Sequence, residues 1–454
     1  MSVPDTQSSE NIVDVIERKE WPGQIKKSKV IAQRITKTDE RDIEDLNKES
    51  RIQIKLTEDG RFTVKAKHYV GSVDFLDAGF KLNVIPKIFQ NDKDKNKKTA
   101  AVMDFANGLS LKDIQEKQEN YYKEGKEPLL EDVIYDELIR EAEYLLRRGL
   151  LRSYVVHTEN MTSLRGKLLL QYQMLNDATR SPKFFCEYDE LEYDNTENRT
   201  ILQALTVVRR AKRQNVGTTK PQQEWRNIIR SKSSRCAEQL SEVVQKEEVS
   251  RPERSRLMQS YTRQNYYYKN VLQVSNQIID SMGISDIYRG GTSQIRSFFT
   301  NMDKMYERFV QRLFKEYYVH PSQVKLQPLA KAWKTTEFTD KNMYPDIVIR
   351  EGNVVKKIID AKHKPDIEVG DLYQLGFYMH EYDEFKQIND AFAILPRYTD
   401  HKKVLHKKEG SYEAVITEKK VHVKRLNVDE CVKAIKDGNE DKLRGIVKEL
   451  IDET

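Results

Sequence analysis

Cysteine is scarce in this sequence, which has three among its 454 residues. Cys186, Cys236 and Cys431 lie far apart and form no Cys-x-x-Cys pair. Their number and spacing exclude a disulfide scaffold and a cysteine-rich zinc site, and they favour a reducing, cytoplasmic location. The chain also has no run of about 18 apolar residues, so we expect no membrane span. Its polar, acidic N-terminus has no apolar signal core, so we expect no secretion.

Several catalytic motifs are absent as well. There is no Gly-x-x-x-x-Gly-Lys-Ser/Thr motif, because the Gly166-Lys167 pair is followed by Leu168 and lacks the upstream glycine. Neither His-Glu-x-x-His nor Gly-x-Ser-x-Gly occurs. These absences argue against an NTPase site in this chain and against the metal and nucleophile chemistries that the other two motifs support.

The length and composition indicate a globular protein of two or three domains, since one simple core rarely grows this large. Hydrophobic residues make up 38% of the chain and charged residues 33%. The 78 basic and 72 acidic residues give a net charge of +6. This excess is too mild to indicate a nucleic-acid binder, so the distribution of the charges matters more than their sum.

The pattern predicts an α+β multidomain chain with a β-rich N-terminal domain (1–130), a mostly helical, basic middle region (131–290) and a C-terminal α/β domain with an extension (291–454). Alternating apolar residues between Arg51 and Phe89 predict strands. The polar run Asn91–Thr99 predicts a solvated loop. Further along the chain, apolar periodicity predicts four helices: one from about Glu131 to Gly149, then Glu197–Arg213, Pro221–Val244 and Gln264–Met282.

The middle region carries most of the charge asymmetry. Between Ala204 and Arg235 there are nine basic residues and one acid, Glu224. Arginines then alternate with tyrosines up to Tyr268. Basic side chains neutralise phosphates and aromatic rings stack on bases, so DNA contact is one interpretation, and solvated helices with core tyrosines are the other. The candidate DNA-binding residues are Arg209, Arg210, Arg226 and Arg230.

The stretch YPDIVIREGNVVKKIIDAKHK, Tyr344–Lys364, predicts a β-hairpin that turns at Gly352. Asp346 opens its first strand, and the second ends on Asp360 and Lys362. The turn brings the two carboxylates together with the ammonium group at one end of the hairpin. Carboxylates suit Mg²⁺, and a neighbouring lysine can orient or deprotonate a water. The arrangement is typical of phosphodiester hydrolysis.

This spacing is the PD-(D/E)xK nuclease pattern, although a surface hairpin with a salt bridge would show the same letters. Two flanking helices favour the nuclease interpretation. Glu307 lies at the margin of an apolar helical stripe upstream, where it could reach a metal, and Gln374 lies on a helix just after the Asp-x-Lys strand. The predicted metal ligands are Glu307, Asp346 and Asp360, with Lys362 activating water and Gln374 positioning the site.

Motifs along most of the chain resemble those of the McrC family, the nuclease subunit of McrBC-type modification-dependent restriction systems. In order, they are YVGSVDFLDAGFKLNVIPKI, LLRRGLLRSYVVHTENMTSLRGKLLL, CEYDELEYDNTENRTILQAL, MYERFVQRLF, YPDIVI, IIDAKHK and DLYQLGFY. The resemblance implies a Mg²⁺-dependent DNA endonuclease for phage defence, with a hexameric McrB-like AAA+ GTPase as its partner. It also implies that the N-terminal domain docks on the partner's ring and stimulates its GTPase. The substrate would be double-stranded DNA with a modified cytosine, which the partner recognises.

Two other functions stay open: a non-catalytic activator or adaptor of the AAA+ ring, and a plain DNA-binding module. The acidic residues Glu187, Asp189, Glu190, Glu192 and Asp194 raise the question of a second metal site. We favour a structural acidic loop instead, with Asn195 or Thr196 capping the next helix. Arg165 and Arg199 could bind DNA or the partner, or could pair with this acidic block.

Overall fold

Helices and strands both contribute to the computed structural model. It describes residues 12–16, 20–21, 35, 40, 43–44, 47, 52–56, 62–75, 78, 80–92, 94–123, 130–210, 220–257, 265–281, 295–328, 330–333, 341–383, 388–400, 403–404, 409–414 and 418–451. The fold is mixed α and β, and none of the described helices combines the length and apolar character that a membrane crossing requires.

The chain divides into two compact units. One contains Met1–Glu131, Arg213–Gln223 and Gly283–Thr454, and the other contains Asp132–Lys212 and Glu224–Met282. Residues from the predicted N-terminal and C-terminal domains therefore lie in the same unit. The reason is a strand pairing: residues 295–301 add to the sheet that residues 69–85 build.

The first part of this unit is rich in strands, as the alternation predicts. They are β1 (Ile12–Ile16), β2 (Glu20–Trp21), β3 (Ile52–Leu56), β4 (Phe62–Ala66), β5 (Tyr69–Phe75) and β6 (Phe80–Ile85). With β10 (Ile295–Asn301), they form a sheet of order β1-β6-β5-β10 and a sheet of order β2-β4-β3. The core between them contains Phe62, Phe75 and Phe80, whose rings contact one another at 4.3 to 5.9 Å between centroids.

Two helices follow the N-terminal strands, α1 (Lys95–Ala106) and α2 (Leu111–Lys123). The predicted solvated loop Asn91–Thr99 is therefore wrong in its second half, which is the first turn of α1. Lys98 explains the difference: its ammonium group forms ion pairs with Asp92 and with the distant Asp429. A lysine-rich segment thus becomes ordered by contacts that the local sequence does not show.

The last part of the same unit contains a mixed six-stranded sheet, β11-β14-β15-β16-β20-β19. Its strands are β11 (Val324–Leu326), β14 (Ile347–Glu351), β15 (Val354–Ala361), β16 (Asp390–Pro396), β19 (Gly410–Glu413) and β20 (Lys420–Leu426). Two short pairs join β12 (Ala330–Trp333) to β13 (Lys341–Met343) and β17 (Thr399–Asp400) to β18 (Lys403–Val404).

Four helices belong to this sheet and its surroundings: α9 (Met302–Tyr317), α10 (Val369–Glu381), α11 (Val428–Lys436) and α12 (Glu440–Ile451). Helix α9 begins after Asn301, whose side chain accepts a hydrogen bond from the Lys304 N–H. The stripe predicted on α9 is buried, with Phe309 and Leu313 fully covered. Helices α9 and α10 both pack against β15, which places their polar residues beside its carboxyl end.

The second unit is mostly helical but contains a sheet that the sequence did not predict. Its helices are α3 (Leu130–Arg148), α4 (Leu170–Ala178), α5 (Thr196–Arg210), α6 (Lys220–Ser241), α7 (Arg251–Leu257) and α8 (Lys269–Ser281). Strands β7 (Ser153–Met161), β8 (Lys167–Leu168) and β9 (Phe184–Glu192) form an antiparallel sheet of order β7-β9-β8. Most of the acidic block lies on β9, so the predicted acidic loop is wrong.

The helix ends in this unit follow local chemistry. Helix α3 stops where Gly149 adopts a φ of +109°, a backbone conformation that glycine adopts without strain. Helix α5 begins after Asn195, whose side-chain oxygen accepts a hydrogen bond of 2.9 Å from the Asn198 N–H. The predicted cap at Asn195 is therefore confirmed.

Candidate active site

The hairpin formed by β14 and β15 places the two predicted aspartates opposite each other. Gly352 makes the turn with a φ of +60°. Ile347 pairs with Ile359, so the antiparallel register continues to Asp346 opposite Asp360. Directly opposed residues share a face of the sheet, and their side chains are close. The predicted convergence of the two carboxylates follows from this register.

Both aspartates are buried, which is costly for a charged carboxylate. Asp346 is 8% exposed and Asp360 is 2% exposed. The Asp346 Oδ2 accepts a hydrogen bond of 2.8 Å from the Ala361 N–H, which holds the carboxylate across the strand end. Burial, followed by the charges of Asp360 and Glu307, raises the pKa of Asp346 to about 9. Burial also raises the pKa of Asp360, although Lys362 opposes this effect.

Lys362 follows the strand and connects the carboxylates to helix α10. Its Nζ lies 2.5 Å from the Asp360 Oδ2 and donates a hydrogen bond of 2.9 Å to the Gln374 Oε1. The Gln374 Nε2 in turn donates to the Tyr378 hydroxyl at 2.7 Å. Burial lowers the pKa of Lys362, but the carboxylates of Asp360 and Asp346 more than offset it, so the pKa lies above its ordinary value. Lys362 is therefore protonated at neutral pH.

Glu307 approaches this group from helix α9 and is held by two glutamines. The Gln311 Nε2 donates to the Glu307 Oε1 at 3.1 Å from the next turn of the helix, and the Gln327 Nε2 donates to the same oxygen. The Gln327 N–H also donates to the Asp346 carbonyl at 3.0 Å. Neither glutamine was predicted from the sequence. The spacing of four residues could have identified Gln311, whereas Gln327 has no local signal.

The position of α10 is fixed at its N-terminus and along its apolar face. The Glu368 N–H donates to the Asp371 Oδ2 at 2.8 Å, and Lys364 lies 2.6 Å from the same oxygen. Leu375 is fully buried in the core that lies against the sheet. These contacts determine where Gln374, one residue earlier, reaches the end of the hairpin. A helix thus supplies the group that orients Lys362.

These residues fit a divalent cation. The Asp360 Oδ2 is buried, and among the described residues it has no hydrogen bond, only the ion pair with Lys362. Asp346 and Glu307 add oxygen atoms of the type that Mg²⁺ prefers. A cation would also offset the repulsion that raises the pKa of Asp346. Glu307, Asp346 and Asp360 are the residues that could hold the metal.

Comparisons with known proteins identify the family. A family model described as McrBC 5-methylcytosine restriction system component matches residues 64–389, more than half of the chain. The chain belongs to the McrC family. A search of curated proteins found no match.

Two solved structures are similar to this McrC-family chain. One is described as a refined half-complex from the tetradecameric assembly of Thermococcus gammatolerans McrB AAA+ hexamers with bound McrC. It is 18% identical with a TM-score of 0.48, over 97% of this chain and 100% of that chain. The other is the Thermococcus gammatolerans McrBC complex, which is 20% identical with a TM-score of 0.39, over 67% of this chain and 88% of that chain.

The four candidate DNA-binding arginines of this McrC-family chain lie on two helices. Arg209 and Arg210 end α5, and Arg226 and Arg230 lie on α6. Arg226 differs from the others, because its side chain is 11% exposed and its Nε lies 3.3 Å from the buried Asp132 Oδ2. An arginine that neutralises a buried carboxylate is needed for the fold. Arg230 and Arg210 are exposed on the helix surface.

The two other arginines from the family-like motifs pair with the acidic block. Arg165 lies 3.2 Å from the Glu190 carboxylate and stacks over the Tyr188 ring at 4.1 Å. Arg199 forms an ion pair of 2.7 Å with Asp194, which lowers the pKa of that carboxyl group. The pairing that we considered for Arg165 and Arg199 is therefore confirmed.

Proposed function

We propose that this chain is the Mg²⁺-dependent DNA endonuclease subunit of its restriction system, with a PD-(D/E)xK nuclease domain at its C-terminus. One observation carries the proposal: Asp346 and Asp360 face each other at a buried hairpin end, with Lys362 held beside them by Gln374. A structural salt bridge needs one carboxylate for one ammonium group. A second buried carboxylate, with Glu307 close by, adds repulsion that a bound cation offsets and that otherwise favours protonation of Asp346.

Each residue has a distinct task in this proposal. Asp346, Asp360 and Glu307 would hold Mg²⁺, which supplies Lewis-acid stabilisation of the charge that develops on the phosphate. Lys362 is protonated, so it donates hydrogen bonds that orient the attacking water or a phosphate oxygen. Gln374 accepts one of the three ammonium protons, and this fixes the direction of the other two.

The same proposal includes a partner and a substrate. We propose a McrB-like hexameric AAA+ GTPase as the partner and double-stranded DNA with a modified cytosine as the substrate, in the cytoplasm. Membership of the McrC family supports this division of tasks, and so does the lack of a P-loop motif in the chain. We propose further that the β-rich N-terminal region, about Arg51–Phe89, docks on the ring and stimulates the GTPase. Of its described apolar residues, Leu56 is the large one with an exposed side chain.

Asp360→Asn tests the nuclease assignment. The protein would be assayed with its partner, GTP, Mg²⁺ and modified DNA, and GTPase stimulation would be measured in the same reaction. We expect cleavage to fall at least 100-fold while stimulation stays within twofold, because only the metal site has changed. Glu351→Gln is the matched control, since it removes an exposed carboxylate from the same hairpin and should leave both activities intact.

Three results would contradict the proposal. Full cleavage by the Asp360→Asn variant would show that the site is not where hydrolysis occurs. Stimulation without cleavage in the unchanged protein would favour the adaptor function instead. A loss of both activities in Asp360→Asn, but not in Glu351→Gln, would mean that Asp360 serves the fold or the complex rather than the reaction.

A further inference from the structure

The second unit has a cavity of about 510 Å³ that the nuclease site does not use. Its lining residues are Glu141, Tyr144, Arg148, Tyr266, Tyr267 and Asn270. They come from α3, from the start of α8 and from the turn of 3₁₀-helix before α8. Three aromatic rings, one cation and two polar side chains therefore surround a volume in the range of small-ligand sites.

The tyrosines of the turn Tyr266–Tyr268 have different environments. Tyr268 is fully buried: its hydroxyl donates to the Asn198 Oδ1 at 2.8 Å and accepts from the Leu151 N–H at 2.8 Å. A 3₁₀-helix has three residues per turn, so successive side chains point about 120° apart. Only one of three can enter the core. Tyr266 is 61% exposed and lines the cavity instead. Core packing accounts for Tyr268 but not for Tyr266.

Cations lie over the rings around this cavity. The Arg148 guanidinium lies 4.3 Å from the centroid of the Tyr267 ring, and its Nη1 donates to the Tyr144 hydroxyl. The Lys269 Nζ lies 5.4 Å from the centroid of the Tyr266 ring. Aromatic faces next to guanidinium and ammonium groups are the combination that binds a nucleotide, because the ring stacks on the base and the cation neutralises the phosphate.

Two polar side chains complete the cavity, Glu141 and Asn270. Burial raises the pKa of Glu141, and the charge of Arg140 only partly opposes this. A carboxyl group accepts hydrogen bonds when ionised and can also donate one when protonated, and an amide does both. Together they can pair with the donors and acceptors on the edge of a base. A saturated ammonium ligand fits less well, since Arg148 already occupies the cation's place over Tyr267.

We propose that this cavity binds an unpaired base of single-stranded DNA, with the base stacked on Tyr266 and its phosphate near Arg148 and Lys269. The choice of DNA rests on the proposed function, whose substrate is DNA. The cavity itself is independent of the nuclease site: none of its lining residues belongs to the metal or lysine groups. A base within a duplex is stacked on both faces and cannot enter without unpairing.

The test is DNA binding by the full-length protein in EDTA, where cleavage does not interfere. A fluorescein-labelled single-stranded oligonucleotide and the duplex of the same sequence would be titrated by fluorescence anisotropy. We expect tighter binding of the single strand, and roughly tenfold weaker single-strand binding by Tyr266→Ala. Tyr266→Phe keeps the ring and should stay within twofold. Tyr154→Ala removes a tyrosine that is 75% exposed on β7 and does not line the cavity, so it is the matched control.

Three outcomes would overturn the proposal. One is equal binding of single strand and duplex by the unchanged protein. Another is single-strand binding by Tyr266→Ala that equals that of the Tyr154→Ala control. The third is equal binding of an RNA strand of the same sequence, which would show that the cavity is not selective for DNA. Asn270→Ala, at an exposed position, repeats the test without changing a ring, and should weaken binding by several-fold.

Failure of the cavity proposal is distinguishable from failure of the nuclease assignment. The Tyr266 variants are measured without Mg²⁺ and without partner, whereas Asp360→Asn is measured by cleavage. Loss of cleavage in Asp360→Asn with unchanged single-strand binding supports both assignments. Normal single-strand affinity in Tyr266→Ala contradicts only the cavity. The melting temperatures of the Tyr266 variants should equal that of the unchanged protein, because the exposed ring is not part of the core.

Discussion

Asp346→Asn should stabilise the hairpin of the metal-free protein at alkaline pH. The substitution keeps the size of the side chain, and the Asn oxygen can still accept the hydrogen bond from the Ala361 N–H. It removes the negative charge that burial, Asp360 and Glu307 disfavour. An amide can also donate to the Glu307 carboxylate. The variant therefore loses repulsion without losing the contact across the strand end.

The magnitude follows from the pKa of Asp346, which is about 9 in the folded chain and about 3.9 in an unfolded one. The folded pKa is the higher one, so stability is greatest below about pH 4 and falls as the pH rises towards 9. A difference of one bound proton between the folded and unfolded chains changes the free energy of unfolding by at most about 1.4 kcal/mol per pH unit. The upper limit is therefore about 4 kcal/mol between pH 5 and pH 8. Because Asp346 and Asp360 titrate together, we expect on the order of 2 kcal/mol.

Hydrogen exchange of the β14–β15 amides measures this local stability in EDTA at pH 5, 6.5 and 8. Asp346→Asn should slow hydrogen exchange of the β14–β15 amides relative to the unchanged protein. We expect this effect to be small at pH 5 and large at pH 8. Added Mg²⁺ should protect the unchanged protein and have less effect on the variant. Asp383→Asn is the control of opposite sign, since Asp383 accepts hydrogen bonds from Lys419 and from the Ile388 N–H. Its removal should destabilise the fold.

A faster-exchanging hairpin in Asp346→Asn at pH 8 would refute this reasoning. That result would mean that the carboxylate is needed as the partner of Lys362, as in a structural salt bridge. Protection that does not change with pH would also refute it, because it would show that Asp346 does not gain a proton on folding. Either result would remove the electrostatic argument that Asp346 and Asp360 hold a cation.

Lys362→Ala should reduce cleavage about 100-fold or more, because its ammonium group orients the water. GTPase stimulation and Mg²⁺ binding should be largely retained, since an ammonium group is not a metal ligand. Unchanged cleavage would contradict the role of Lys362. Charge reversal of the candidate DNA-binding arginines other than Arg226 should weaken duplex binding and flatten its salt dependence. A retained salt slope in a folded variant would show that these arginines do not contact DNA. The three arginines to reverse are Arg209, Arg210 and Arg230. Arg226→Glu should instead lower the melting temperature, since it replaces the ion pair with the buried Asp132 by a repulsion between two carboxylates, and a stable variant would contradict this. Leu56→Asp on β3 should reduce GTPase stimulation without reducing metal binding at the candidate active site. Full stimulation would exclude this strand from the docking surface.

Several features of the site follow from the local sequence. Alternating apolar residues on either side of Gly352 specify two strands and a turn. The register set at the turn, where Glu351 pairs with Val354, shifts by one residue between Ile349 and Arg350, and this irregularity brings Asp346 opposite Asp360. Apolar residues at helical spacing specify α9, whose buried face leaves Glu307 at its margin. These signals are local because each depends only on backbone geometry and on which side chains avoid water.

Other features depend on neighbours that are distant in the sequence. The start of α1 depends on Asp429, 331 residues from Lys98. Arg226 pairs with Asp132, which is 94 residues away. This pair makes Arg226 part of the fold and no longer a candidate for DNA contact. The β7–β9 pair also escaped prediction, because one strand is recognisable as buried or paired only when its partner is known.

The sequence by itself determined the hairpin and the two helices that flank it, because periodicity and turn chemistry act within a few residues. Only the tertiary structure decided how the charges are held. Glu307 is fixed by Gln327, 20 residues away, and Lys362 by Gln374 on the following helix. Burial, which raises the pKa of Asp346, is likewise a property of the packed chain. Local pattern selects the residue types, and packing sets their distances and protonation states.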